Sequence, residues 1–208
     1  MALELETSTD IEGSNFLGKG DDGTYHLHVI DTNESPKYRG GKKKDQYVDG
    51  FEIQVEVMAG PKKGCTTHIV LQNPNLSHKD GGEFSKKLQT RMLTILGLLN
   101  KSQFGQRVSI TLKDAQGMQF IGSFKTDTSA DGAQFLTLDG AKFWHIDDPS
   151  AAKCERDHAT IALLPQSFRR TPESFAKADA AKGSSNGNGN GNKRSEEHTS
   201  ELQSRSAI

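Results

Sequence analysis

The stretch Gly50–Gln72, GFEIQVEVMAGPKKGCTTHIVLQ, holds two strand-like segments on either side of one turn. In the first segment every second residue from Phe51 to Val57 is apolar, and the residues between them are Glu or Gln. A period of two is typical of a strand with one buried and one solvated face. The turn Gly60–Gly64 follows, and the β-branched segment Cys65–Gln72 then predicts the second strand of an antiparallel hairpin.

Short strands are also predicted outside this hairpin, at Thr24–Thr32, Arg107–Leu112, Met118–Thr126, Gln134–Leu138 and Lys142–Ile146. Each is bounded by Gly, Asp or Ser, which favour turns. In the first of them His26 and His28 lie on the same face, opposite the apolar one, so both are predicted to be surface residues.

One helix is predicted after the hairpin, because apolar residues recur at helical spacing from Phe84 to Leu99. We expect it to run for about 18 residues with Phe84 at the head of its buried stripe. Asp80 and Glu83 have the spacing of a capping box, and Asn100 is expected to close the helix.

Three strands, a helix and then more strands predict a mainly β chain with one α-helix, folded as a five-stranded Greek-key barrel of the OB type. The alternative is an open antiparallel α+β sheet with the helix on one face. Residues 24–148 would form this domain, after an acidic N-terminal arm at 1–23. Residues 149–182 are rich in Ala and charged residues, so we interpret them as a polar C-terminal extension with little material for a core.

The C-terminal residues differ in composition from the rest. Residues 183–193 alternate Gly with Asn or Ser and are expected to form a disordered linker. Residues 194–208 are interpreted as an adapter-derived artefact, because Arg194–Ser204 resembles a common sequencing-adapter oligonucleotide translated in one frame. We therefore expect the native gene to continue into a different ending.

The composition of the chain also predicts its cellular compartment. The chain holds only Cys65 and Cys154, which are far apart and are expected to be reduced thiols. It has no apolar run of about 18 residues, and its N-terminus is acidic. These features predict a cytoplasmic protein with no membrane partner.

Charge is unevenly distributed along the chain. Residues 1–36 carry one Lys and eight acids, a net charge of −7, whereas residues 37–113 carry fourteen bases and six acids, a net charge of +8. A segment this basic within a nearly neutral chain indicates an anionic partner, or else a solvated surface.

Catalytic motifs are missing from the sequence. It contains no GxxxxGK[ST] phosphate loop, no HExxH and no GxSxG, so we predict that the chain is not an enzyme and needs no cofactor. Cys65, His68, Cys154 and His158 together have the composition of a structural zinc site. A zinc-stabilised module is therefore one alternative, although more than eighty residues separate the two pairs.

Basic residues interleaved with aromatic rings are the stronger signal, since single-stranded nucleic acid requires cations for its phosphates and flat rings for its bases. The segment Lys37–Tyr47 joins the first two strands and carries five bases beside two tyrosines. In OB folds this connection flanks the binding face. The predicted binding residues are Lys37, Tyr38, Arg39, Lys42, Lys43, Lys44, Tyr47, Lys62, Lys63 and, more weakly supported, Trp144.

Three motifs carry a resemblance to a known family: Gly50–Gly64 (GFEIQVEVMAGPKKG), Leu71–Asn75 (LQNPN) and the helix end Ile95–Leu99 (ILGLL). Over about Tyr47 to Leu99 the chain resembles a phage-encoded family that is catalogued as a domain of unknown function and thought to bind single-stranded DNA. The chain departs from that pattern in a longer polar connection, LSHKDGGEF, and beyond Leu138.

The resemblance implies an OB-type fold that coats single-stranded DNA during phage or bacterial replication and recombination, without sequence specificity. Bacterial single-strand-binding proteins look alike in adding a Gly-rich linker and an acidic tip that recruits replication and repair enzymes. The resemblance therefore implies a missing C-terminal tip with such partners, and a homo-oligomer is compatible with it. A protein-interaction scaffold that binds no nucleic acid is the other alternative.

Overall fold

The computed structural model describes residues 15–38, 42, 44–74, 79–129 and 131–175. The chain divides into two compact units, Met1–Pro172 and Glu173–Ile208. The fold and the candidate site lie in the described residues of the first unit. The predicted linker and the adapter-like residues, 183–208, lie outside the described residues.

The central feature is one antiparallel sheet. Its strands are β1 (Gly23–Asn33), β2 (Gly50–Val57), β3 (Thr66–Gln72), β4 (Gln119–Thr128) and β5 (Gln134–His145). They lie in the order β3-β2-β1-β4-β5, so the fourth strand returns beside the first, as in a Greek key. Within the described residues the edge strands β3 and β5 do not pair with each other. The chain is therefore mainly β with an open sheet, which was the alternative arrangement, and closure into a barrel is not seen.

The hydrophobic core lies between one face of the sheet and the first helix. Alternate residues of every strand point into it, as the period of two predicts. Its largest contributors are Leu27 and Val29 from β1, Ile53 and Val55 from β2, Leu71 from β3, Phe120 and Phe124 from β4, Phe143 from β5, and Met92 and Leu96 from the helix region. Phe120 and Phe124 are thus buried and are not stacking surfaces.

Helix α1 (Glu83–Ile95) is shorter than predicted, at 13 residues. Gly97 has a φ of 77°, and the Leu98 N–H donates to the Leu93 carbonyl at 2.9 Å, which together end the helix in a Schellman motif. The prediction that Asn100 closes the helix is wrong, because its side chain caps the following 3₁₀ helix, Lys101–Gln103.

Two side chains of α1 contact both open edges of the sheet. The Gln89 amide donates to the Gln72 carbonyl of β3 at 3.0 Å. The Arg91 guanidinium donates to the Phe143 carbonyl of β5 at 2.9 Å and lies 5.0 Å from the Phe143 ring centroid. The helix thus spans the gap between the two edge strands, which positions its first turns near the end of β3.

Two strand predictions differ from the structure. The segment predicted at Arg107–Leu112 belongs to no strand: residues 107–111 have no regular secondary structure, and Leu112 begins a 3₁₀ helix, Leu112–Ala115, whose Leu112 and Ala115 side chains pack in the core. The two segments Gln134–Leu138 and Lys142–Ile146 form the single strand β5. Gly140, with a φ of 55°, lies in the stretch of β5 where the register against β4 shifts, so its turn signal marks a bulge.

The C-terminal extension is part of the domain. Ile161 of α2 (His158–Ile161), Leu164 and Phe168 pack with Ile121 and Ile146 in a second apolar cluster on the other side of the sheet. A 3₁₀ helix, Pro149–Ala151, precedes α2. The predicted boundary at residue 148 is therefore too early.

This second cluster explains why the surface prediction for His26 is wrong. His26 is fully buried, and its Nδ1 accepts a hydrogen bond from the Asp157 N–H at 3.1 Å. Its Nε2 lies 3.0 Å from Gln119 Oε1, so the neutral ring with a proton on Nε2 satisfies both contacts. Burial lowers the pKa of His26. His28 is half-buried.

The N-terminal arm also reaches the sheet. Leu17 is buried, and its N–H donates to the Thr66 carbonyl at 2.8 Å. Phe16 and Thr66 form a parallel bridge at the start of β3. The described part of the predicted arm therefore packs on the domain and pairs with the first residue of β3.

Candidate nucleic-acid interface

The β1–β2 loop, residues 34–49, begins and ends as an extension of the β1–β2 hairpin. The Val48 N–H donates to the Pro36 carbonyl at 2.7 Å, and the Tyr38 N–H donates to the Gln46 carbonyl at 3.0 Å. Pro36 and Val48 are buried. The two arms of the loop are therefore ordered by pairing and by an apolar anchor.

Lys37 and Tyr47 lie opposite each other in this extension and form its exposed side. The Lys37 Nζ lies 5.2 Å from the Tyr47 ring centroid, a cation–π distance. The Tyr47 side chain is 65% exposed, which leaves ring surface for another partner. Tyr38, the other predicted ring of the loop, is half-buried, because strand alternation directs it to the same side as Pro36 and Val48.

The described lysines of the loop have no acidic partner. Lys37, Lys42 and Lys44 are exposed, and none of them takes part in an ion pair among the described residues. Arg39 and Lys43, which belong to the same prediction, lie outside the described residues. The loop therefore presents uncompensated positive charge beside an exposed aromatic ring.

A hydrogen-bond network fixes the base of the loop to β3 and α1. Asn73 donates from its backbone to the Asp49 carbonyl at 2.7 Å and from its side chain to Asp49 Oδ1, also at 2.7 Å. The Gln89 amide donates to Asn73 Oδ1 at 2.9 Å. Gly50 has a φ of 154°, and a Cβ there would lie 2.2 Å from the Leu71 carbonyl oxygen, so only glycine fits at this junction.

Lys62 and Lys63 lie in the β2–β3 turn, residues 58–65, and have different surroundings. The Lys62 Nζ lies 2.6 Å from Asp21 Oδ1, and the Lys63 Nζ lies 3.2 Å from Asp157 Oδ2. The hydrogen bond with Asp21 raises the pKa of Lys62 and lowers the pKa of Asp21. This turn follows the end of β2, whereas the loop precedes its start, so about 23 Å of strand separates them. The structure does not bring Lys62 and Lys63 together with the loop.

Trp144 and the proposed zinc ligands have the surroundings of residues that stabilise the fold. Trp144 is half-buried beside the second apolar cluster, which Cys154 also contacts. His68 Nδ1 lies 2.8 Å from Glu52 Oε1 and does not approach a cysteine pair. Among the described residues, which include all four proposed ligands, no group of three or more metal-binding side chains converges. The zinc-site alternative therefore has no structural support.

The outward face of the β2–β3 hairpin carries no described lysine or arginine. Its side chains include Glu52 and Glu56 from β2, and His68 and Val70 from β3. The Phe16 ring lies over His68 with its centroid 5.7 Å away. This face is acidic and partly apolar, so it is not suited to phosphate groups.

Phe84 is the aromatic residue whose environment the sequence pattern misjudged most. It was predicted to head the buried stripe of the helix, but it is 58% exposed. Leu88, one turn later, packs against the core, so the buried stripe begins there. No local signal separates Phe84 from the stripe, because its four-residue spacing from Leu88 is that of a buried helix face.

Comparison of the chain with protein-family models, with curated proteins and with solved structures finds no match. Among the described residues, no helix is both long and apolar enough to cross a membrane.

Proposed function

We propose that this protein binds single-stranded nucleic acid, DNA in the first instance, without sequence specificity and without catalysis. The observation that carries the proposal is the β1–β2 loop, in which unpaired lysines stand beside the exposed Tyr47 ring. Between residues 37 and 47 the sequence has five bases and one acid. Lysines neutralise phosphates and release counterions, and a ring stacks on a base of any identity.

The bound strand is expected at the loop end of the sheet and not across the β2–β3 face. Glu56 on that face would repel phosphates, whereas the Glu52 carboxylate is buried 2.8 Å from His68 Nδ1. The loop, in contrast, is held in place by the Asp49–Asn73–Gln89 network, so its charges are presented from an ordered base. A preorganised site loses less side-chain and backbone entropy when it binds.

The strand order favours the finer interpretation of the fold as a partly open barrel of the OB type. Five strands in Greek-key order, with a helix after the third that contacts both edge strands, are compatible with that architecture. In such folds the loop between the first two strands flanks the ligand. The resemblance over Tyr47–Leu99 points to the same class, with a role in phage or bacterial replication or recombination.

The proposal is tested by titrating fluorescent oligothymidine with the protein at several salt concentrations. The logarithm of the association constant should fall linearly with the logarithm of the salt concentration, with a slope of about −0.7 per phosphate contact. Binding to a duplex of equal length should be weaker, because paired bases are not available to Tyr47. No binding to single strands at low salt would contradict the proposal and favour a protein-interaction scaffold.

A further inference from the structure

The exposed Phe84 ring needs an explanation that the fold does not provide. It is the second residue of α1, and it is one of the few large apolar side chains that are more than half exposed in the described residues. Its backbone N–H donates to Asp80 Oδ2 at 3.0 Å, so the residue is held at an ordered helix start. Removing a ring of this size from water is favourable, so a ligand that covers it gains binding free energy.

Lysines outnumber acids near this ring in the sequence, with Lys79, Lys86 and Lys87 against Asp80 and Glu83. Lys87 is one helical turn from Phe84 and lies on the same face, and Lys79 precedes the helix. Both lysines are exposed and take part in no ion pair among the described residues. Lys86 is also exposed, with a long contact of 3.5 Å to Glu83. An aromatic ring among lysines repeats the chemistry of the β1–β2 loop.

The two groups lie at the same end of the sheet. The loop leads into Gly50 at the start of β2, and Gly50 pairs with Gln72 at the end of β3. The Gln89 amide contacts Gln72 and Asn73, and Asn73 is bonded to Asp49 in the loop. Lys86 is three residues before Gln89, within one helical turn of about 5.4 Å. The first turns of α1 are therefore fixed next to the base of the loop.

We infer that the first turns of α1 form a second contact for the same nucleic-acid strand, with Phe84 as a base-stacking platform and Lys87 as a phosphate contact. This inference rests on the proposed function. The charge of the lysines is complementary to a polyanion, and the contact continues the surface that the loop begins. A strand long enough to span both groups engages both, whereas a short one occupies the loop alone.

The test is a comparison of oligothymidines of increasing length, with the full-length chain and the double variant Phe84→Leu/Lys87→Gln. The variant should bind the longest oligonucleotide more weakly, by about 5-fold at 0.1 M salt for the lost lysine and at least about 5-fold more for the lost ring. It should bind the shortest oligonucleotide that retains measurable affinity as the parent does. Phe84→Tyr with Lys87 retained should restore long-strand binding, because the ring is kept.

A matched control is available on the β4–β5 hairpin, at the other end of β1. Phe135 is 46% exposed, and Lys125 is exposed nearby on β4. Phe135→Leu/Lys125→Gln removes one ring and one charge and should leave binding within about 2-fold of the parent. Melting temperatures within a few degrees of the parent would show that both variants fold.

The outcomes separate the two proposals. If the parent binds oligothymidine and Phe84→Leu/Lys87→Gln binds every length equally well, this inference is wrong and the loop site stands. If the parent binds no single strand, both proposals are wrong. An equal loss in the Phe135 and Phe84 variants would also overturn the inference, because the loss would then be unspecific.

Discussion

The β1–β2 loop and the β2–β3 turn are both lysine-rich in the sequence, yet the structure places their charges in different surroundings. In the turn, Asp21 and Asp157 hold Lys62 and Lys63 at ion-pair distances. In the loop, Lys42 and Lys44 have no such partner among the described residues. We therefore propose the loop, and not the turn, as the binding surface, because its described lysines have no acidic partner among the described residues.

The difference arises from segments that are distant in sequence. Asp21 belongs to the N-terminal arm and Asp157 to the C-terminal extension, and both pack at the turn end of the sheet. The loop lies at the other end, where its base contacts β3 and α1.

The largest expected effect is on stability in acid, because the segment that carries Asp157 is held by buried histidines. Burial lowers the pKa of His145 to about 4, while its ring contacts the Phe168 carbonyl at 2.9 Å. In the unfolded chain this histidine takes up a proton near pH 6.5. Its contribution to stability is therefore fully present above that pH and is lost as the pH falls to about 4. The loss should reach about 3 kcal/mol in the free energy of unfolding.

Urea unfolding at pH 7 and pH 4.5 measures this effect. The variant His145→Gln, which cannot take up a proton there, should show a smaller difference between the two pH values. An unchanged pH dependence in His145→Gln would contradict the assignment of the effect to this residue.

The next effect is on the affinity for oligothymidine. Two double variants, one in the loop and one in the turn, compare the two lysine pairs directly. Lys42→Gln/Lys44→Gln should weaken oligothymidine binding about 25-fold at 0.1 M salt, because each lost contact costs about 5-fold. The matched variant Lys62→Gln/Lys63→Gln removes the same charge and should change affinity less than about 3-fold. Equal losses in the two variants would remove the distinction between loop and turn.

A smaller effect distinguishes the two tyrosines of the loop. Tyr47→Leu should weaken binding about 10-fold, since base stacking on a ring contributes about 1–3 kcal/mol. Tyr38→Leu should change affinity little, because Tyr38 faces the body of the protein. Fluorescence anisotropy with the same oligonucleotide checks both, and a larger loss for Tyr38→Leu would reverse the assignment.

These tyrosines also show what sequence can predict. Alternation located β1 to β4 closely and predicted the β2–β3 hairpin correctly, because a period of two is a local property of the chain. The loop was found through its composition. Which of Tyr38 and Tyr47 is exposed depends on pairing across the loop, which composition does not encode.

Long-range packing accounts for the other differences. The burial of His26 depends on Asp157, which is 131 residues away, and the pairing of Lys63 depends on the same residue. The strand predicted at Arg107–Leu112 does not form, and Leu112 instead begins a 3₁₀ helix that packs in the core. None of these facts can be derived from the local pattern of hydrophobic residues.

The smallest effect is expected when Lys62 and Lys63 are released from their ion pairs and become available to phosphates. Asp21→Asn/Asp157→Asn removes both carboxylates while keeping side-chain size, so Lys62 and Lys63 lose their ionic partners. The salt slope of binding should become steeper, by up to about 1.4 if both lysines then reach phosphates. An unchanged slope and affinity would show that the position of the turn, and not its ion pairs, keeps it from the strand.

The most direct measurement is lysine footprinting by amine acetylation and mass spectrometry, with and without saturating oligothymidine. We expect nucleic acid to protect Lys37, Lys42 and Lys44, while the modification of Lys62 and Lys63 does not change. Protection confined to Lys62 and Lys63, or no protection of the loop at saturation, would contradict the central claim that the β1–β2 loop contacts the strand.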